Sequence, residues 1–233
     1  MKQQLHRILH YFTRTEIALW GGSVAAILTA FLLFDRHSVL TLAASLIGVT
    51  SLILNAKGNP AGQALMILFS LLYGVISYTF SYYGEMLTYL GMTMPMAGIA
   101  LVSWLRHPYQ GRKSEVAVNR LSGREVWVMW LLTAAVTIGF YWILRVLHTA
   151  NLLPSTLSVT TSFLAVYLTC RRSPCYAIAY AANDCILIVL WILAARTHIA
   201  YLSVVVCFAA FLLNDLYGFI SWRRMALRQK TGI

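Results

Sequence analysis

Eight apolar runs divide this chain of 233 residues, and each is close to the length that crosses roughly 30 Å of hydrocarbon. They fall at 17–34, 39–56, 61–80, 86–105, 125–144, 154–170, 175–195 and 199–222. Inside lipid a segment must satisfy its own backbone N–H and C=O groups, so runs of this length predict helices. Polar punctuation separates them, at Asp35-Arg36-His37, Lys57-Gly58-Asn59-Pro60, Tyr82-Tyr83-Gly84-Glu85 and 106–124, then at 145–154, 171–174 and 196–198. The expected fold class is an all-α polytopic membrane protein with eight transmembrane helices.

Composition agrees. At 60% hydrophobic and 11% charged residues, with a mean hydropathy of +0.71, the chain lies outside the range of soluble domains. A net charge of +11 would suit a nucleic-acid partner if it formed one patch. Here the basic residues sit between apolar runs, as the positive-inside rule places them, so no nucleic acid is expected. With both termini on one side, fifteen of the eighteen Lys and Arg share that side and only Arg36, Arg145 and Arg196 oppose them. Both termini and the 106–124 loop are therefore expected in the cytoplasm. Met1 to Glu16 is polar, basic and amphipathic, suited to the membrane surface, and no signal-peptide cleavage site follows it. Cys170, Cys175, Cys185 and Cys207 lie in or beside apolar runs without metal-ligand spacing and are expected as free thiols.

The chain also repeats itself. Runs two to four end in Ser103-Trp104-Leu105-Arg106, and runs six to eight end in Ser221-Trp222-Arg223-Arg224. Ser45 matches Ser162, Tyr78 pairs with Trp191, and the Lys57–Pro60 turn matches Arg171–Pro174. Four spans separate matching helices, so the repeats are parallel, and such repeats flank a midplane site in transporters. The expected divisions are 1–38, a surface segment and extra helix; 39–106, a first three-helix bundle; and 107–153, a cytoplasmic loop and linker helix. A second bundle at 154–224 and a cytoplasmic tail at 225–233 follow.

Candidate chemistry concentrates in Tyr176 to Trp191, YAIAYAANDCILIVLW. Tyr176, Tyr180, Asn183, Asp184 and Trp191 share about a third of the helix circumference. A carboxylate at mid-bilayer costs roughly 2.5–3.5 kcal/mol on insertion scales, so it normally faces a polar interior. In the last run Ser203, Asn214, Tyr217 and Ser221 share a face, with Gly218 beside them for close helix approach. Asp215 is off that face and could pair with Arg223 or Arg224. Run three aligns Gln63, Ser70, Ser77 and Ser81, with Tyr78 flanking, and run six adds Ser158, Thr161 and Ser162. Hydroxyls in membrane helices also serve packing alone. Tyr82, Tyr83 and Trp127 read as interfacial belt residues. Phosphate loops, HExxH and a Ser/His/Asp set at one depth are missing, and all six His fall outside the spans or at their ends, so no enzyme, cofactor or metal is expected.

The pattern as a whole resembles the PnuC transporters of bacteria, which move nicotinamide riboside and related vitamins. The resemblance spans about 39–224 and is carried by TLAASLIGVTSLILNAKGN, LLYGVISYTFSYYGEMLTYLGMTMPM, SWLRHP, TLSVTTSFLAVYLT, YAIAYAANDCILIVLW and LLNDLYGFISW. It implies a SWEET-like 3+1+3 core of two parallel three-helix repeats, preceded by one extra N-terminal helix. It also implies facilitated diffusion across the bacterial inner membrane, with a kinase trapping the substrate inside. Family positions for the ligand look like Tyr180, Asn183, Asp184 and Trp191, with Asn214 and Tyr217 from the last helix. Relatives carry Trp and Asn where this chain has Tyr180 and Asp184, and related members carry thiamine or riboflavin.

The resulting expectation is a nicotinamide riboside facilitator working by alternating access. Trp191, Tyr180 and Tyr78 would stack on the base, with Tyr176 on the same wall. Asn183, Asn214 and Gln63 would bind the ribose. Asp184 would offer a counter-charge to the cationic ring. Tyr73, Gly74, Glu85 and Gly218 are the candidate gating positions, with Pro95 as a further flexible point. A thiamine or riboflavin carrier, or a receptor subunit without flux, are the alternatives. Small-molecule substrate and lipid are the expected partners, and the sequence leaves a homo-oligomer open.

Overall fold

The computed structural model describes residues 11–79, 82–149 and 151–231. Among these residues eight helices are long and apolar enough to cross a membrane: α1 (Arg14–Phe34), α2 (Val39–Ala56), α3 (Pro60–Thr79), α4 (Tyr83–Arg106), α5 (Gly123–Val146), α6 (Leu152–Cys170), α7 (Tyr176–Ala195) and α8 (Ile199–Thr231).

Local chemistry sets their ends. Thr13 with Glu16 and Ser122 with Glu125 form capping boxes that start α1 and α5. Asn59 accepts from the Ala61 amide and Pro60 opens α3, where its missing N–H costs nothing. α2 and α6 stop the same way. Gly58 at φ 66° and Arg172 at φ 57° turn the chain left-handed, and their amides cap Asn55 O and Thr169 O. Within α4, Thr88–Thr93 is a π-helical turn just before Pro95, which has no amide to give the ladder.

Six helices close into a ring: α2 packs on α3, α3 on α4, α4 on α6, α6 on α7, α7 on α8, and α8 returns to α2. α1 lies outside against α2 and α8, and α5 lies outside against α6. Lipid gives no hydrophobic drive between helices, so close packing has to hold them together, and small residues permit it. Gly48 faces the Phe211 ring, Gly62 faces the Asn55 side chain, and a Cβ on Gly74 would stand 2.5 Å from Leu90 Cγ.

Three features depart from the expectations. Glu16 was placed on a surface segment, but it is buried and ion-paired to Lys57 at 3.1 Å, because the α2–α3 turn reaches over it. The rest of that segment, and Ser81 of run three, lie outside the described residues. The 106–124 loop folds into a hairpin, β1 (Pro108–Tyr109) and β2 (Arg112–Val116), turning at Gln110-Gly111 with both φ positive. The loop then ties two distant turns, since Val116 N bonds Gly58 O and Asn119 N bonds Arg172 O, both at 3.0 Å. Finally, α8 runs past 222 to Thr231. Gln229 holds that extension, accepting from Val118 N at 2.7 Å and donating to Glu115 and Val116 O.

Candidate functional site

The ring interior is layered. At the end holding the 57–60 and 171–174 turns, Trp104 and Trp222 are fully buried with ring centroids 5.3 Å apart. Trp104 Nε1 donates to Thr169 O at 3.0 Å, and Trp222 Nε1 donates to Asn55 O at 2.7 Å. Each adjacent serine does the same one residue on: Ser103 Oγ donates to Cys170 O and Ser221 Oγ to Ala56 O. The last carbonyls of α2 and α6 would otherwise be orphans at a helix end. Tyr176 covers this layer, 4.9 Å from the Trp222 ring.

Above it lies a polar layer. Asn183 Oδ1 accepts from Ser158, Thr161 and Ser162 of α6 at 3.3, 2.9 and 3.1 Å. Ser158 Oγ also reaches Glu85 Oε1 at 3.4 Å, so one hydroxyl joins α4, α6 and α7. The Asp184 and Asp215 carboxyls are within hydrogen-bonding reach of each other, with Tyr180 alongside. Asp184 Oδ2 and Glu85 Oε2 are buried without a donor. Among the described residues no salt bridge reaches any of these three acids. Buried charge without a basic partner is costly, so such a group is kept where a cation or proton meets it.

The third layer is aromatic. Trp191 is buried between Tyr82, Tyr201 and Tyr73, with centroids at 5.1, 5.6 and 6.3 Å, and Tyr73 packs in turn on Tyr89 at 4.5 Å. Tyr82 therefore packs inward, where a belt position was expected. Between Trp191 and Glu85 runs a crevice of about 10 Å³, bounded also by Tyr82, Thr149, Ser155 and Leu190. That is room for about one water.

The structure thus brings together Tyr73, Glu85, Tyr176, Tyr180, Asn183, Asp184 and Trp191. Four other candidates have different neighbours. Gln63 donates to Asn55 Oδ1 at the α2–α3 turn, and Asn214 donates to Ser23 Oγ of α1. Tyr217 donates to Glu16, and Tyr78 is 61% exposed on the outer face beside Tyr83. Gly74 lies against Leu90, whereas a Cβ on Gly218 would meet nothing closer than 3.6 Å. For Asp215 the sequence leaves open a pairing with Arg223 or Arg224, and among the described residues no salt bridge joins them. Asp215 turns the other way, because α8 presents it to α7. Its signal was in the sequence: Asn183-Asp184 and Asn214-Asp215 are the same dipeptide on neighbouring helices.

The sequence profile of the nicotinamide mononucleotide transporters matches residues 38–224. The chain belongs to that family. This nicotinamide mononucleotide transporter family member is a multi-pass membrane transporter and not an enzyme; α1 lies outside the matched residues. The nicotinamide riboside transporter PnuC of Neisseria mucosa is 25% identical over 215 residues, covering 91% of this chain and 82% of that protein. The crystal structure of the vitamin B3 transporter PnuC matches with a TM-score of 0.77 over 94% of both chains at 23% identity, a likeness of fold.

Proposed function

We propose that this transporter carries nicotinamide riboside inward across the bacterial inner membrane by facilitated diffusion, with phosphorylation in the cytoplasm trapping it. The observation that carries the reading is the buried Asp184–Asp215 pair, which has no basic partner among the described residues and lies below an aromatic cluster around Trp191. A pyridinium nucleoside is a flat cation joined to a hydroxyl-rich sugar. The carboxyls supply its counter-charge, Trp191 and Tyr180 its stacking surface, and Asn183 its ribose contact. The names of the PnuC relatives favour the same substrate.

Transport proceeds by alternating access between bundles 39–106 and 154–224, with 107–153 as loop and linker, 1–38 outside the repeat, 225–233 beyond it and both termini cytoplasmic. Tyr73, Gly74 and Glu85 line the moving contacts on one side and Gly218 those on the other. Gln63, Asn214, Tyr217 and Tyr78 join the ligand only where helix movement frees them from their present neighbours. Uptake of labelled nicotinamide riboside into proteoliposomes, against thiamine and riboflavin, tests the proposal. Saturable entry of nicotinamide riboside that outlasts collapse of the proton gradient is expected; preference for either vitamin, or no flux, overturns it.

A further inference from the structure

Two cavities adjoin where the first turns of α1 meet the last turns of α2. One is an apolar groove of about 290 Å³ walled by Phe12, Ile17, Trp20, Ile53 and Leu54. Ile17 and Trp20 form its outer rim, 41% and 40% exposed on a face turned to the bilayer. Trp20 is fixed there by its indole N–H to Thr50 Oγ1 at 3.1 Å. The other cavity, about 510 Å³, holds Lys57, Arg112, Arg224 and Arg228. Glu16 lines both, so the two lie side by side along its side chain.

The charges do not balance. Glu16 is committed to Lys57 and to the Tyr217 hydroxyl, and Glu115 to Arg228. Arg112 and Arg224 have no carboxylate within ion-pair distance among the described residues. Ser114 and Tyr11 add hydroxyls to the same wall. A pocket with two spare guanidinium groups suits a phosphate, and basic pockets beside membrane helices recognise phospholipid head groups in this way. The groove decides between a free phosphate compound and a lipid. It starts beside the basic pocket and follows the first turns of α1 and the last turn of α2 into the membrane-spanning part of the fold, with an apolar wall that suits an acyl chain.

We infer that this composite cavity is a binding site for an anionic phospholipid, its phosphodiester on Arg112 and Arg224 and one acyl chain between Ile17, Trp20 and Ile53. The lipid joins α1, which lies outside the ring, to the α2–α3 turn, the hairpin and α8. It also lies against Ser221, whose hydroxyl holds Ala56 O, so its head group borders the tryptophan layer.

Binding to the delipidated full-length protein in neutral detergent, read by native mass spectrometry, tests this independently of any transport assay. Phosphatidylglycerol, phosphatidylcholine and sn-glycerol 3-phosphate are the probes. Phosphatidylglycerol should bind in preference to phosphatidylcholine. The Arg112→Gln/Arg224→Gln variant should lose roughly fivefold in affinity per arginine, while Arg120→Gln/Arg124→Gln, which removes two exposed arginines elsewhere, should not. Ile17→Trp, which fills the groove with an apolar side chain, should weaken the lipid as well. Equal loss in the Arg120/Arg124 variant would reduce the effect to diffuse surface charge and overturn the site. Tight binding of sn-glycerol 3-phosphate, or indifference to Ile17→Trp, would remove the acyl chain and overturn the lipid assignment.

Discussion

Trp104 and Trp222 perform the same task from opposite sides of the ring. Each indole bonds the carbonyl two residues before a basic turn residue, Thr169 before Arg171 and Asn55 before Lys57, and the two rings meet at 5.3 Å. Removing the N–H while keeping a ring should leave a buried carbonyl unpaired. Trp104→Phe and Trp222→Phe are each expected to cost about 1–3 kcal/mol, seen as matched falls in Tm in detergent. A loss confined to one of them would show that the two bonds are not equivalent.

Asp184 and Asp215 act as a pair on a cationic substrate in the proposed mechanism. A unit charge about 4 Å away contributes on the order of 4 kcal/mol at an effective dielectric of 20, before desolvation is counted. Asp184→Asn and Asp215→Asn should each weaken nicotinamide riboside binding by roughly tenfold or more, with both proteins still folded. Calorimetric titration reads this directly, and unchanged affinity in both variants would take the pair out of the site.

Trp191 is 2% exposed and surrounded by three tyrosine rings. Trp191→Ala should reduce substrate affinity by roughly 1–3 kcal/mol through lost stacking, and Trp191→Phe by less. Equal affinity for all three forms would place the ring of the ligand elsewhere.

Gly74 and Gly218 are both candidate gating positions, and the packing separates them. A methyl on Gly74 meets Leu90 at 2.5 Å, while one on Gly218 finds ordinary contacts from 3.6 Å. Gly74→Ala should destabilise by about 1–3 kcal/mol through overpacking, and adding Leu90→Ala should recover part of it. Gly218→Ala should stay within roughly 0.5 kcal/mol of the parent. Thermal unfolding of the three variants beside the parent checks the set.

Much of the architecture was legible because its signals are local. Run 39–56 coincides with Val39–Ala56, and run 61–80 with Pro60–Thr79 to within a residue, since hydropathy and caps are properties of neighbours in sequence. The hairpin and the tail of α8 were not legible. Arg112–Val116 and the residues after Trp222 are too polar to register as span, and their order comes from Gln229, Glu115 and Gly58 meeting across the fold. Among the candidate residues, Asn183 and Asp184 stand out for their depth, whereas Asp215 falls off the polar face of its own helix, and a helical wheel says nothing of the neighbouring helix.

Hydropathy along the chain is enough to place eight membrane helices, most of their ends to within a few residues, and to put Asn183 and Asp184 at mid-span. These follow from lipid excluding unsatisfied backbone and unpaired charge. It takes the packed helices to show that Asp184 meets Asp215, that Asn183 is held by three hydroxyls of α6, and that Gln63, Asn214 and Tyr217 serve other contacts. The reason is geometric: periodicity assigns a side chain to a face of its own helix, and ring closure alone assigns that face its partner.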